Sequence, residues 1–138
     1  MKAIFLFLFA FTFGYDVKGQ DATVYLFRTS RFVGVLANFT VKLDGKKICK
    51  LSNKRFLKLS LKPGSHHLES YFSGISYISN AKNILDFETK ESENYYIETS
   101  SNLKSIVGGK LKLVQVDKKR GDELMSKITK FDYCQRRQ

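Results

Sequence analysis

The stretch NFTVKLDGKKICKLSNKRFLKLSLKPGSHHLES, residues 38–70, decides the fold. Phe39, Val41 and Leu43 alternate with Thr40 and Lys42, and Asp44-Gly45 then supplies the residue pair that tolerates positive φ in a two-residue hairpin turn. After Ser52-Asn53, Leu57, Leu59 and Leu61 alternate with Lys58, Ser60 and Lys62, and Pro63-Gly64 ends that run before His66–Phe72 begins another. The period of two predicts four short strands following one another as a half-buried antiparallel meander. Ile48 and Leu51 stand three apart rather than two, which predicts a bulge near Cys49 and Lys50.

Working outward, Ala22–Arg28 is rich in β-branched and aromatic residues and reads as a strand, Thr29–Gly34 as a loop, and Val35–Leu43 as the strand that opens the meander. On the other side, Ser73–Asn83 is a Ser/Asn/Gly-rich connection with an edge strand expected at Ile75–Ile78. Strands follow at Ile84–Thr89 and Asn94–Thr99, then a loop over Ser100–Gly109 and an apolar run over Leu111–Val116. In the second of these strands Tyr95 and Ile97 point one way and Tyr96 the other. Asp122 is positioned to cap a helix carrying Leu124, Ile128 and Phe131 on one stripe. The expectation is an all-β chain: a single antiparallel β-sandwich of about seven or eight strands, with a short C-terminal α-helix packed on it.

The 138 residues suffice for one domain with a real core. Lys2 followed by an unbroken apolar run from Ala3 to Phe13 and then by Gly19 reads as a secretory signal over residues 1–19, leaving a domain over 20–133 and a tail over 134–138. The run is about half of the ~20 residues that span a bilayer, so no transmembrane segment is expected after cleavage. Export places the chain in the periplasm or outside the cell. Such a compartment permits Cys49 and Cys134 to pair, with two free thiols as the alternative, and two cysteines so far apart are no metal motif.

The formal charge is +11, and removing Lys2, Asp16 and Lys18 with the leader leaves 22 bases against 12 acids, or +10. Eight of those bases lie between Lys42 and Lys62 with Asp44 as the one acid. Lys42, Lys58 and Lys62 are therefore candidates for a face that meets an acidic polymer or an anionic membrane surface, and Arg28 and Arg31, flanking the first loop, for a grip on a carboxylate or phosphate. Alternating lysines are also what the solvated side of a sheet looks like.

Catalytic chemistry is harder to place. A hydrolase needs a nucleophile, a base and an orienting group, yet the two histidines are the neighbours His66 and His67, which a strand sends to opposite faces, and no serine stands in a Gly-x-Ser-x-Gly elbow. Gly108-Gly109 has neither the P-loop lysine nor the spacing of a dinucleotide fingerprint. No enzyme, cofactor, metal or nucleic-acid partner is expected. The expected role is a non-catalytic interaction or structural module whose partner is an envelope protein or an acidic polymer.

Ala22–Arg28, Arg31–Gly34, Val41–Lys46, Leu59–His66 and Tyr95-Tyr96, in that order and spacing, resemble a family of bacterial envelope β-domains of unknown function. They are also similar to PEGA-type surface modules, which share the Asp-Gly hairpin and the Pro-Gly-x-His turn. The resemblance covers about residues 21–124 and implies a β-domain without catalytic residues. Members of that family are often lipoproteins whose leader ends in an acceptor cysteine. This chain has no cysteine before Cys49, so a freely soluble exported form is implied.

Overall fold

The computed structural model describes residues 19–29, 38–73, 83–102 and 110–132. Among them lie β1 (Ala22–Arg28), β2 (Phe39–Leu43), β3 (Lys46–Leu51), β4 (Phe56–Leu61), β5 (Gly64–Phe72), β6 (Ile84–Thr89), β7 (Asn94–Asn102), β8 (Lys110–Val116) and α1 (Lys118–Lys127). The eight strands form two sheets, sheet A in the order β4-β1-β7-β8 and sheet B in the order β3-β2-β5-β6. The fold is a β-sandwich with one short helix after the last strand, as the pattern predicts.

Alternation decides which side of each strand is buried. Val24 and Leu26 of β1, Leu57 and Leu61 of β4 and Ile97 of β7 face Phe39 and Val41 of β2, Leu51 of β3, Leu68 of β5 and Phe87 of β6, and these side chains form the inter-sheet core. The opposite face of sheet A carries Phe27 and Tyr96, which α1 covers with Leu124 and Ile128. Fully burying a side chain of this size stabilises by about 1.5–3 kcal/mol, so a short helix is held by its docked stripe rather than by its own propensity. The molecule thus has three layers: sheet B, sheet A and helix.

The structure corrects the expected topology in four places. The meander is not one sheet, because β4 pairs antiparallel with β1 in sheet A while β2, β3 and β5 belong to sheet B. Nor is the sandwich wholly antiparallel: β1 and β7 pair in parallel, Thr23 opposite Asn94 through Arg28 opposite Thr99. A parallel pair needs a long crossover, and the chain supplies one by passing through sheet B between the two strands. Ser100–Asn102, expected in a loop, continue β7 opposite β8. The helix begins at Lys118, not after Asp122, with Asp117 as N-cap accepting from the Arg120 N–H at 2.8 Å.

Gly121, which looks like a helix breaker in sequence, is inside that helix and buried. A Cβ built there would lie 2.3 Å from Tyr96 Cγ, so the missing side chain is what lets the helix approach the ring. Phe131, expected on the helical stripe, instead forms a bridge with Phe56 that brings the chain back beside β4, the Phe56 N–H donating to the Lys130 carbonyl. The leader, the expected strand at Ile75–Ile78 and the tail lie outside the described residues.

Candidate functional site

Three of the basic residues singled out in the sequence are placed on different surfaces. Lys42 is on the outer face of sheet B, 3.8 Å from Glu69 and above the ring of Tyr71. Lys58 is on the outer face of sheet A above Tyr25, and Lys62 follows β4 at the rim, exposed. Because β4 has crossed to the other sheet, Lys42 does not share a face with Lys58. Arg28 is not a surface grip. It is 2 % exposed, on the inward parity of β1 with Val24 and Leu26, its guanidinium 3.7 Å from the centre of the Phe39 ring while Nη1 donates to the Leu51 carbonyl at 2.8 Å. Burial pushes its pKa down to about 10, with the Asp132 charge acting in the opposite sense. It remains a cation at neutral pH and serves the core. Arg31 and Cys134 lie outside the described residues; Cys49 is buried at the inner face of β3 and disulfide-bonded.

The densest polar arrangement is at one end of sheet B and was not foreseen. It grows from the Asp44-Gly45 turn, whose residues have φ of 50° and 78° as the hairpin requires. The Asp44 N–H donates to the His67 carbonyl and its Oδ1 accepts from the His67 N–H at 2.8 Å, which pins the turn to β5. Its Oδ2 lies 2.9 Å from His66 Nδ1, while His66 Nε2 lies 2.9 Å from the Lys62 carbonyl. On the other face of β5, His67 Nδ1 is 2.5 Å from Asp86 Oδ1 and Nε2 is 3.3 Å from Glu69 Oε1. Lys42 approaches the same glutamate from β2.

Both rings therefore have an acceptor at each nitrogen. A carbonyl oxygen and an ionised carboxylate only accept, so all four bonds form together only when each ring carries two N–H groups, as imidazolium. Burial opposes the His66 charge, but the Asp44 and Lys62 bonds outweigh it and raise its pKa above the ordinary value. The Asp86 bond, ahead of Glu69, raises that of His67, against burial. Reciprocally, the His67 N–H, with the His66 bond after it, lowers the Asp44 carboxyl pKa. The side chains border an open depression of about 500 Å³ walled by Ser65, Asp86, Phe87 and Glu88. Among the described residues no group of three or more His, Cys, Asp or Glu is arranged to hold a metal.

A smaller depression of about 370 Å³ lies beside α1 on sheet A, between Glu98, Ser100, Lys112, Val114 and Arg120. Arg120 is committed there, with Nε and Nη2 donating to Glu98 and Nη1 to Glu123. The two tyrosines of β7 are likewise engaged: Tyr96 stacks on Tyr25 at 5.6 Å, and the Tyr95 hydroxyl donates to Glu93 at 2.6 Å. No helix among the described residues is long and apolar enough to cross a membrane.

With this geometry in place, comparison with known proteins adds one match. Residues 18–110 match the family described as "Protein of unknown function (DUF2846)". No curated protein matches the chain.

Proposed function

We propose, from the premise that this chain belongs to the DUF2846 family of unknown function, that it is a non-catalytic, exported β-sandwich module serving as an interaction or structural domain in the cell envelope or outside the cell. The observation that carries the reading is the histidine pair. His66 and His67 are the chain's two histidines, and each has both ring nitrogens engaged by oxygen acceptors, an arrangement that spends both rings on tying turns and strands together. Export is supported by the lysine and apolar run at the start of the sequence. The Asp44-Gly45 and Pro63-Gly64-Ser65-His66 turns, which resemble those of PEGA-type surface modules, fit the same role.

The test is affinity capture from envelope extract with the purified chain, with mass spectrometry of the captured species before and after incubation. The expected result is saturable retention of an unaltered partner that persists in His66→Gln and His67→Gln. Chemical conversion of the bound species that disappears in either variant would overturn the reading.

A further inference from the structure

We propose that β3 and the turn after it form a docking strip for an acidic polysaccharide, a reading that rests on the interaction-module role and names its partner class. The strip differs from the lysine face that the sequence suggests. Lys47 and Lys50 are three residues apart, so a regular strand would send them to opposite faces. The register is not regular: Val41 pairs with Cys49 but Lys42 pairs with Lys47, so Ile48 is the extra, bulged residue. The bulge returns Lys47 and Lys50 to one face, the outer face of sheet B, opposite Lys42 and Thr40. They stand about 7 Å apart along the strand, two residues of rise. Lys46 and Lys54 flank them, and all four lysines are exposed.

Four cations that are near neighbours in sequence stand here without an acidic partner, where several others are paired. Lys42 has Glu69, Arg55 has Asp132, Lys118 has Asp122, and Arg120 and Lys127 share Glu123. Lys46, Lys47, Lys50 and Lys54 make no ion pair among the described residues. Because β3 is an edge strand of sheet B, these cations stand beside backbone N–H and C=O groups that no neighbouring strand of that sheet pairs. Cations beside open backbone donors and acceptors suit a chain bearing both acid groups and hydroxyls. A bilayer surface would call for apolar side chains projecting between the lysines, whereas Cys49 and Leu51 are in the core and Ile48 packs against it. Single-stranded nucleic acid would call for aromatic platforms, and residues 46–54 contain none. Edge lysines also discourage strand-to-strand aggregation, and the experiment separates that role from binding.

Fluorescence anisotropy of the purified full chain with labelled heparin fragments and labelled polygalacturonate, at 50 and 200 mM salt, is the measurement. Four charge contacts predict a weakening of roughly 50- to 150-fold across that range through counterion release. Lys47→Gln with Lys50→Gln should weaken binding about tenfold at 50 mM and cut the salt slope by about half. The charge-matched control, Lys90→Gln with Lys119→Gln at exposed positions elsewhere, should stay within about twofold, with unfolding midpoints of both doubles at the wild-type value. Absence of binding at 50 mM, equal loss in the control, aggregation of the Lys47/Lys50 double with unchanged affinity, or tighter binding of duplex DNA or phosphatidylglycerol vesicles would each overturn the proposal. Any of these alongside intact capture of an envelope partner refutes the polysaccharide and leaves the module reading standing.

Discussion

Replacing Gly121 by alanine tests whether the third layer is as tightly fitted as it looks. In an exposed helix the change should stabilise by about 1 kcal/mol, because alanine is the better helix former. Here the added Cβ would fall 2.3 Å from Tyr96 Cγ and 2.4 Å from its Cδ1. Reaching an ordinary carbon contact of ~3.5 Å requires a shift of about 1.2 Å. The ring has little room to give, since it stacks on Tyr25 at 5.6 Å. The helix must move instead, partly withdrawing Leu124 and Ile128, which are 2 % and 6 % exposed. Overpacking of this kind costs about 1–3 kcal/mol, and after the propensity gain a net loss of about 1 kcal/mol remains. Urea unfolding followed by tyrosine fluorescence should show a midpoint lower by roughly 0.5 M, taking a slope of about 2 kcal/mol/M. In a Tyr96→Leu background the same substitution should lose most of its penalty, because contacting residues couple. A Gly121→Ala midpoint at or above wild type, with the slope unchanged, would refute the close-approach argument.

Other outcomes follow from the site and the core. His66 and His67 have pKa values raised above 6.5, so their contribution is complete below pH 6.5 and is lost as pH climbs through the folded values. Asp44 is lowered from 3.8, so its contribution is complete above 3.8 and is lost as pH falls through its folded value; the cluster is strongest between those limits. The urea midpoint should fall from pH 6 to pH 8 in wild type and fall less in Asp44→Asn, and ring titrations by NMR with both pKa values below 6.5 would contradict the geometry. Leu124→Ala should lose about 2–5 kcal/mol, measured by the same urea unfolding, while exposed Lys119→Ala changes stability by no more than about 0.5 kcal/mol. Intact mass with and without reduction should show Cys49 joined to Cys134, and opening that loop should destabilise by about 2–5 kcal/mol.

Alternation made most of the strands legible, because a half-buried strand repeats every two residues whichever sheet it joins. For the same reason, partnership was hidden. Nothing in Leu57, Leu59 and Leu61 says that their strand leaves Lys42 behind and pairs with β1, since both sheets present the same kind of inner face. The Asp44-Gly45 turn was readable from its own chemistry; that Asp44 also holds His66 depends on a tertiary register 22 residues long. Arg28 looked like a loop cation because loops are where arginines usually are, whereas its parity with Val24 and Leu26 pointed inward. At Gly121 the effect on the helix is local, and the compensation, the Tyr96 ring, is remote. The bulge was legible from the three-residue spacing of Ile48 and Leu51, but its result, two lysines on one face, appears only once the partner strand is aligned.

The parallel pairing of β1 with β7 also sets an order of events. β1 is a central strand of sheet A, flanked by β4 and β7, and its partner Asn94 is 71 positions beyond Thr23. As the chain is synthesised, Val24 and Leu26 have no complete sheet to join until residues past 94 have emerged, and the helix that covers Phe27 comes later still. Contacts so distant in sequence make closure slow. β1 can meet β4 early, but sheet A gains its other half only when β7, and with it β8, arrives at the free side of β1.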